Sequence, residues 1–114
     1  MLKTYTIPIT NHQIKDLFNL WIDNGFESER NIDINKNLLL GLENNVNSIK
    51  LYVFESNSFI QSSAIILSNN QNPSISALGE VCTSIKSRGN GYASKLCKKI
   101  VEDYFSIDKN EVIF

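Results

Sequence analysis

Cysteine is nearly absent from this chain, and the two that occur, Cys82 and Cys97, stand fifteen residues apart with a helical pattern between them. That spacing is neither a metal-ligand set nor a disulfide framework, so no metal is expected and both thiols are expected to be buried and reduced. Two prolines and five glycines are too few for a flexible linker. No repeat recurs at a period of roughly 20–50 residues, which leaves one domain over residues 1–114 as the expectation. Charge of one sign is lacking too: 11 basic residues against 12 acidic give a net charge of −1. That balance lacks the basic footprint of a nucleic-acid binder. No apolar run approaches the ~18–20 residues of a membrane span, and Met1 to Thr6 lacks an apolar signal core, so a cytoplasmic protein without a membrane partner is expected. What is present is an ordinary globular composition, 42% apolar and 20% charged, with material for a core.

Lys3 to Ile9 mixes β-branched and aromatic residues and predicts a strand, with Pro8 placing it at a sheet edge. Thr10 and Gln13 are spaced as a capping box, and Ile9 with Ile14 as a hydrophobic staple, so a helix starts there. Ile14, Leu17, Phe18, Trp21 and Ile22 mark its apolar face, and Gly25 supplies a left-handed stop. Phe18 and Trp21 read as core. Leu38, Leu39, Leu40 and Leu42, with Asn35 as N-cap, predict a short second helix. Residues 49–55 and 59–67 are rich in strand formers and separated by three residues, which predicts an antiparallel hairpin. Asn69 to Pro73 is a turn signal, and residues 75–85 predict a third strand of the meander. Ala93, Leu96, Cys97, Ile100, Val101, Tyr104 and Phe105 then mark the apolar face of the clearest helix. Val112 to Phe114 opens a strand that the helical crossover makes parallel to the one before. The expected fold class is a mixed α/β sheet in the order β-α-α-β-β-β-α-β.

Arg88-Gly89-Asn90-Gly91 joins a strand to that amphipathic helix. The first turn of a helix has backbone N–H groups without intrahelical partners and a dipole that favours negative charge. Glycine at 89 and 91 would let an anion approach the main chain, Arg88 adds a charge-assisted bond, Lys86 lies on the same approach, and the Ser94 hydroxyl is a further donor. A diphosphate suits such a loop, although the same spacing also serves a plain strand-to-helix turn. The third glycine of a dinucleotide-binding G-x-G-x-x-G is missing, as is the Gly-Lys-Ser/Thr of an ATP-binding loop. Both of those readings lose their support.

Residues 79–96, Gly79-Glu80-Val81-Cys82-Thr83 through Arg88-Gly89-Asn90-Gly91-Tyr92-Ala93 to Leu96, resemble motif A of the GCN5-related N-acetyltransferases (GNAT), whose hallmark is Gln/Arg-x-x-Gly-x-Gly/Ala. Arg88, Gly91 and Ala93 fill its specified places. The resemblance implies a GNAT-like acyl-CoA N-acyltransferase fold, with Val81, Cys82 and Thr83 pairing with the pantetheine arm of acetyl-CoA. It implies that Arg88, Gly89, Asn90, Gly91, Tyr92, Ala93 and Ser94 hold the pyrophosphate. Acetyl would pass directly to an amine acceptor with no covalent enzyme intermediate, so neither cysteine need be a nucleophile. Glu80, alternating with Leu78 and Cys82 on one side of the strand, is the candidate general base, against the plainer reading of a solvated or lysine-paired carboxylate. His12, in the first turn of a helix remote in sequence from the loop, reads as a surface residue.

Members of that family usually continue past the last strand into a further helix and two strands, which commonly carry the tyrosine acid. Tyr92 and Tyr104 do not match that position, so no general acid is assigned. The sequence then implies a short form of the fold, or a site completed by a second copy or a partner chain. A non-catalytic coenzyme A-binding or assembly module is the alternative function, and an unrelated phosphate-loop domain is a third.

Overall fold

The computed structural model describes residues 1–24, 36–37, 39–42, 46–57, 59–107 and 109–114. Five strands, β1 (Leu2–Thr6), β2 (Asn47–Ser56), β3 (Phe59–Asn69), β4 (Asn72–Thr83) and β5 (Val112–Ile113), form one sheet in the order of the chain. Neighbours run antiparallel until β5, which pairs parallel to β4 through Ile75 with Val112 and Ser76 with Ile113. Helix α1 (Asn11–Asp23) follows β1, and α2 (Tyr92–Phe105) makes the crossover from β4 to β5. The expected edge position of the first strand and the parallel last pair are both present, as is the meander. The prediction ran the first strand on to Ile9, but the ladder ends at Thr6, and Ile7 and Ile9 enter the core instead.

Alternation along β2 and β3 sorts the core into two layers. Ile49, Leu51, Val53 and Ile65 face α1, where Ile14, Leu17, Phe18, Leu20 and Trp21 meet them together with Ile7, Ile9 and Leu39. Tyr52, Ala64 and Ile66 face α2 and its Leu96, Ile100 and Tyr104. The capping box forms as expected: the Gln13 amide N–H donates to Thr10 Oγ1 (3.1 Å) and the Thr10 N–H to Gln13 Oε1 (2.9 Å).

Several expectations are corrected. The buried face of α1 is rotated toward Leu20, leaving Ile22 exposed. On α2 the buried stripe narrows to Leu96, Ile100 and Tyr104; Val101 and Phe105 are exposed, and Cys97 is half-buried rather than buried. The strand expected to reach Ile85 stops at Thr83, because residues 85–87 coil into a single 3-10 turn that leaves Ile85 exposed. The turn after β3 is also tighter than predicted, and Pro73 lies within β4. One helical turn occurs where the second helix was expected, the Leu40 N–H donating to Lys36 O (2.9 Å). Gly25, Asn35 and Leu38, on which its boundaries and the stop of α1 rested, lie outside the described residues. Among the described residues no helix is long and apolar enough to cross a membrane.

Candidate functional site at the open end of β4

The register between β3 and β4 shifts between Ser63 and Ile65: Ser63 opposes Cys82, and Ile65 opposes Gly79. Two residues, Glu80 and Val81, therefore stand against Ala64 alone, which defines a β-bulge. Glu80 is its left-handed member, with φ 52°. The extra residue breaks the alternation assumed from sequence. Leu78 and Val81 pack on the α2 layer and Cys82 on the α1 layer, so Glu80, Leu78 and Cys82 do not share one side.

The bulge also orients the strand's peptide groups. Before it, the Leu78 N–H donates to Phe114 O (2.7 Å), away from β3; after it, the Ser84 N–H donates to Gln61 O of β3 (2.8 Å). Since peptide groups alternate along a strand, Val81 and Thr83 turn theirs away from β3, and Cys82 turns inward. Beyond Leu78 no described strand flanks this outer edge of β4.

Past the 3-10 turn, Gly89 (φ 88°) and Gly91 (φ 73°) adopt backbone that a side chain would strain, and Gly91 is the N-cap of α2 with no side-chain cap bond. An added Cβ at either glycine would meet nothing within 4 Å, so the space before both is open. The first-turn amides of α2 thus receive no side-chain cap and border an accessible hollow. Its volume is about 280 Å³, and its walls are Thr83, Ser87, Arg88, Gly89, Gly91, Tyr92, Ala93 and Ser94. Arg88 lies across the strand end, its Nε donating to Thr83 O (3.3 Å). The Tyr92 ring stacks on Phe54 of β2 with centroids 4.4 Å apart, fixing the start of α2 against the sheet.

Most of the residues singled out from sequence are therefore gathered around one hollow: Thr83, Arg88, Gly89, Gly91, Tyr92, Ala93 and Ser94. Asn90 is not on its wall; its Nδ2 donates to Ser87 O (2.9 Å), closing the loop. Val81 packs its side chain in the α2 layer with its N–H on the outer strand edge, whereas Cys82 is buried in the α1 layer. Burial raises the Cys82 thiol above its ordinary pKa despite Arg88 nearby, and burial raises Cys97 likewise, which suits neither for nucleophilic work. Lys86 points elsewhere than expected: it lines a separate hollow with Asp16, Asp23 and Phe59 on the α1 side. His12 is exposed, 3.4 Å from Asp16.

Sequence reasoning missed Ser87, a wall residue whose hydroxyl donates to Gln61 Oε1 (2.6 Å). It also missed Ser62 and Ser63, wholly buried in β3. The Ser62 and Thr83 hydroxyls bond at 2.8 Å, and the Ser63 hydroxyl donates to the bulge carbonyl of Glu80 (2.9 Å). Two consecutive serines inside an apolar strand were the available signal, because buried hydroxyls require partners.

No protein-family model matches this sequence, and no curated protein matches it. Solved structures do match its fold. A GNAT-family protein from Desulfovibrio desulfuricans superposes with a TM-score of 0.68 at 11% identity, over 90% of this chain. The chain spans 65% of that protein's length. The ribosomal-protein-alanine N-acetyltransferase of Brucella melitensis gives 0.65 at 14% identity, over 96% of this chain and 71% of its own. A predicted acetyltransferase from Clostridium acetobutylicum, crystallised with acetyl-CoA, gives 0.62 at 19% identity, over all of this chain and 79% of its own. The fold is that of the GCN5-related N-acetyltransferases. The described elements run β-α-β-β-β-α-β, with α2 between parallel strands.

Proposed function

We propose that this chain transfers an acetyl group from acetyl-CoA to a primary amine by direct attack, with both substrates bound together. The observation that carries the proposal is the hollow at the uncapped start of α2, where two left-handed glycines leave the main chain open beside Arg88. First-turn amides, a helix dipole and one guanidinium are the donor set that a diphosphate takes, so the residues fit the coenzyme's pyrophosphate. The outward peptide groups of Val81 and Thr83 lie along the adjoining strand edge, where an extended amide-bearing arm can add as a strand does. The donor is a thioester, whose carbonyl carbon accepts the amine nitrogen as the C–S bond breaks and coenzyme A leaves as a thiolate.

In this reading the chain itself performs three tasks. The Gly loop and Arg88 anchor the far end of the donor, and β4 aligns its reactive end, so that much of the rate comes from positioning. An outward N–H of the bulged strand stabilises the negative charge that develops on the carbonyl oxygen. Glu80, the half-buried carboxylate at the bulge, takes the proton from the attacking amine, directly or through water. Neither cysteine takes part.

Calorimetry with coenzyme A tests the binding half. Gly91→Asp places a carboxylate at the helix start and should weaken affinity about 100-fold through like-charge repulsion and backbone strain. No binding by the folded protein, or equal binding by the variant, overturns the reading. Release of coenzyme A thiol in the presence of amines tests the chemical half. Glu80→Gln should lower kcat about 100-fold with the coenzyme affinity unchanged. Binding without any thiol release would leave a coenzyme-binding module in place of an enzyme.

A further inference from the structure

Trp21 is an expected core residue, 1% exposed, yet its indole N–H donates to Ser63 Oγ at 2.9 Å. That same hydroxyl donates to Glu80 O at 2.9 Å. The direction of this short chain is unambiguous, because an indole nitrogen can only donate. Ser63 therefore uses a lone pair for Trp21 and its single proton for the Glu80 carbonyl. Trp21 and Ser63 are buried in the α1 layer, which shields the bond between them from solvent, and Glu80 beside them is half-buried.

The peptide that Ser63 grips is the one joining Glu80 to Val81, in the middle of the bulge. It is trans, as are all described peptides except Ile7-Pro8. In a trans peptide the carbonyl and the following N–H point in opposite directions. Holding the Glu80 carbonyl inward thus aims the Val81 N–H outward, toward the edge of β4 beyond Leu78. A left-handed φ at a residue that carries a side chain persists only where its surroundings hold it. The Trp21–Ser63 relay is a group that does so.

We infer that Trp21 and Ser63 are positioning residues, which aim the Val81 amide at the carbonyl oxygen of a bound acyl donor through the Glu80–Val81 peptide. The inference rests on the acetyl-CoA reading given above. It deepens that reading by tying a helix on one face of the sheet to the alignment of a backbone donor at its edge. Neither side chain touches the donor itself.

Amide-resolved NMR of the 15N-labelled full chain, titrated with acetyl-CoA, separates the two claims. In the wild type the Gly89 and Gly91 signals should shift with the loop and the Val81 signal with the strand edge. In Ser63→Ala the dissociation constant read from Gly89 and Gly91 should change less than about twofold, while the Val81 response falls about threefold or more. Trp21→Phe keeps the ring and removes only the donor, so it should act in the same direction, and it serves if Ser63→Ala does not fold. Ser63→Thr, which keeps a hydroxyl, should restore the Val81 response. Absence of any shift at Gly89 and Gly91 in the wild type overturns the acetyl-CoA reading and this inference with it. Shifts at the glycines with an equal Val81 response in wild type and variants overturn the relay alone. Loss of glycine and Val81 responses together in a folded variant also overturns it, since the relay would then support the fold without aiming the amide.

Discussion

The two ends of β4 are built on different plans. From Ser76 to Leu78 the strand has a neighbour on each side, β3 and the β5 segment through Phe114, and main-chain bonds run to both. From Gly79 to Thr83 only β3 flanks it among the described residues, and side chains of β3 add to the bonds on that one side: Ser63 at the Glu80 carbonyl and Ser62 at the Thr83 hydroxyl. The first arrangement resists distortion through the ladder and the core beneath it. The second has no described strand along its outer side and is held from β3 alone. A strand edge is ordinarily a hazard to be covered, and here a bulge and two buried hydroxyls turn it into a surface with a defined orientation.

Substitutions can test that division of labour. The largest effect should come from the tied end: Ile66→Ala removes a buried side chain opposite Leu78 in the α2 layer and should cost about 3 kcal/mol in urea unfolding. Coenzyme A affinity of the folded fraction should stay within about twofold, since loss of packing is separable from the loop. At the open end Thr83→Val leaves the buried Ser62 hydroxyl without its partner and should cost about 1–2 kcal/mol. It should also weaken the coenzyme several-fold, Thr83 being a wall of the hollow. Ser62→Ala in the same chain should recover part of the stability but not the affinity. If Ile66→Ala and Thr83→Val shift stability and affinity in the same proportion, the two ends are not distinct.

A smaller effect separates two glycines. A Cβ on Gly79 would lie 3.7 Å from Ile65 Cγ1, an ordinary contact, whereas Gly91 is left-handed in open space. Gly79→Ala should therefore change unfolding free energy by less than about 0.5 kcal/mol, and Gly91→Ala should lower it by about 1 kcal/mol.

The smallest effect concerns acid. Near the tied end Asp103 accepts from Tyr52 (2.8 Å) and pairs with Lys99 (2.9 Å). Burial alone would raise the Asp103 carboxyl, but bonds from Lys99 and Tyr52 bring it below its ordinary value. Burial, with the same bond to Asp103, pushes the Tyr52 hydroxyl far up. A depressed carboxyl pKa stabilises the fold above the unfolded value of about 3.9, and that contribution is lost as pH falls through the folded value. Asp103→Asn should flatten the acid limb of thermal stability below about pH 4, leaving stability near neutrality slightly lower.

How much of this was legible in the sequence follows from which signals are local. Thr10 with Gln13, the meander, and the passage from Arg88 through Gly91 into an amphipathic helix all depend on neighbours within a few residues. The structure reproduces each of them. The fold class followed from those parts in order. The bulge did not. It depends on how β3 and β4 slide past one another, and an extra residue in one strand leaves no periodic trace when Leu78, Glu80 and Cys82 still alternate on paper. For the same reason Trp21 read only as core: the indole's partner, Ser63, is forty-two residues away. Lys86 was misplaced because residues 85–87 coil, turning a side chain that strand alternation would have sent toward the loop.

Neighbouring residues on a strand point to opposite faces, so Ser62 and Ser63 grip β4 from above and below the sheet. Any rotation of residues 80–83 about the strand axis would slacken one grip only by straining the other. A ribbon end with a single lateral neighbour would ordinarily twist freely. Here the two bonds reach residues 80–83 from both faces of the sheet, while no described strand lies along their outer side.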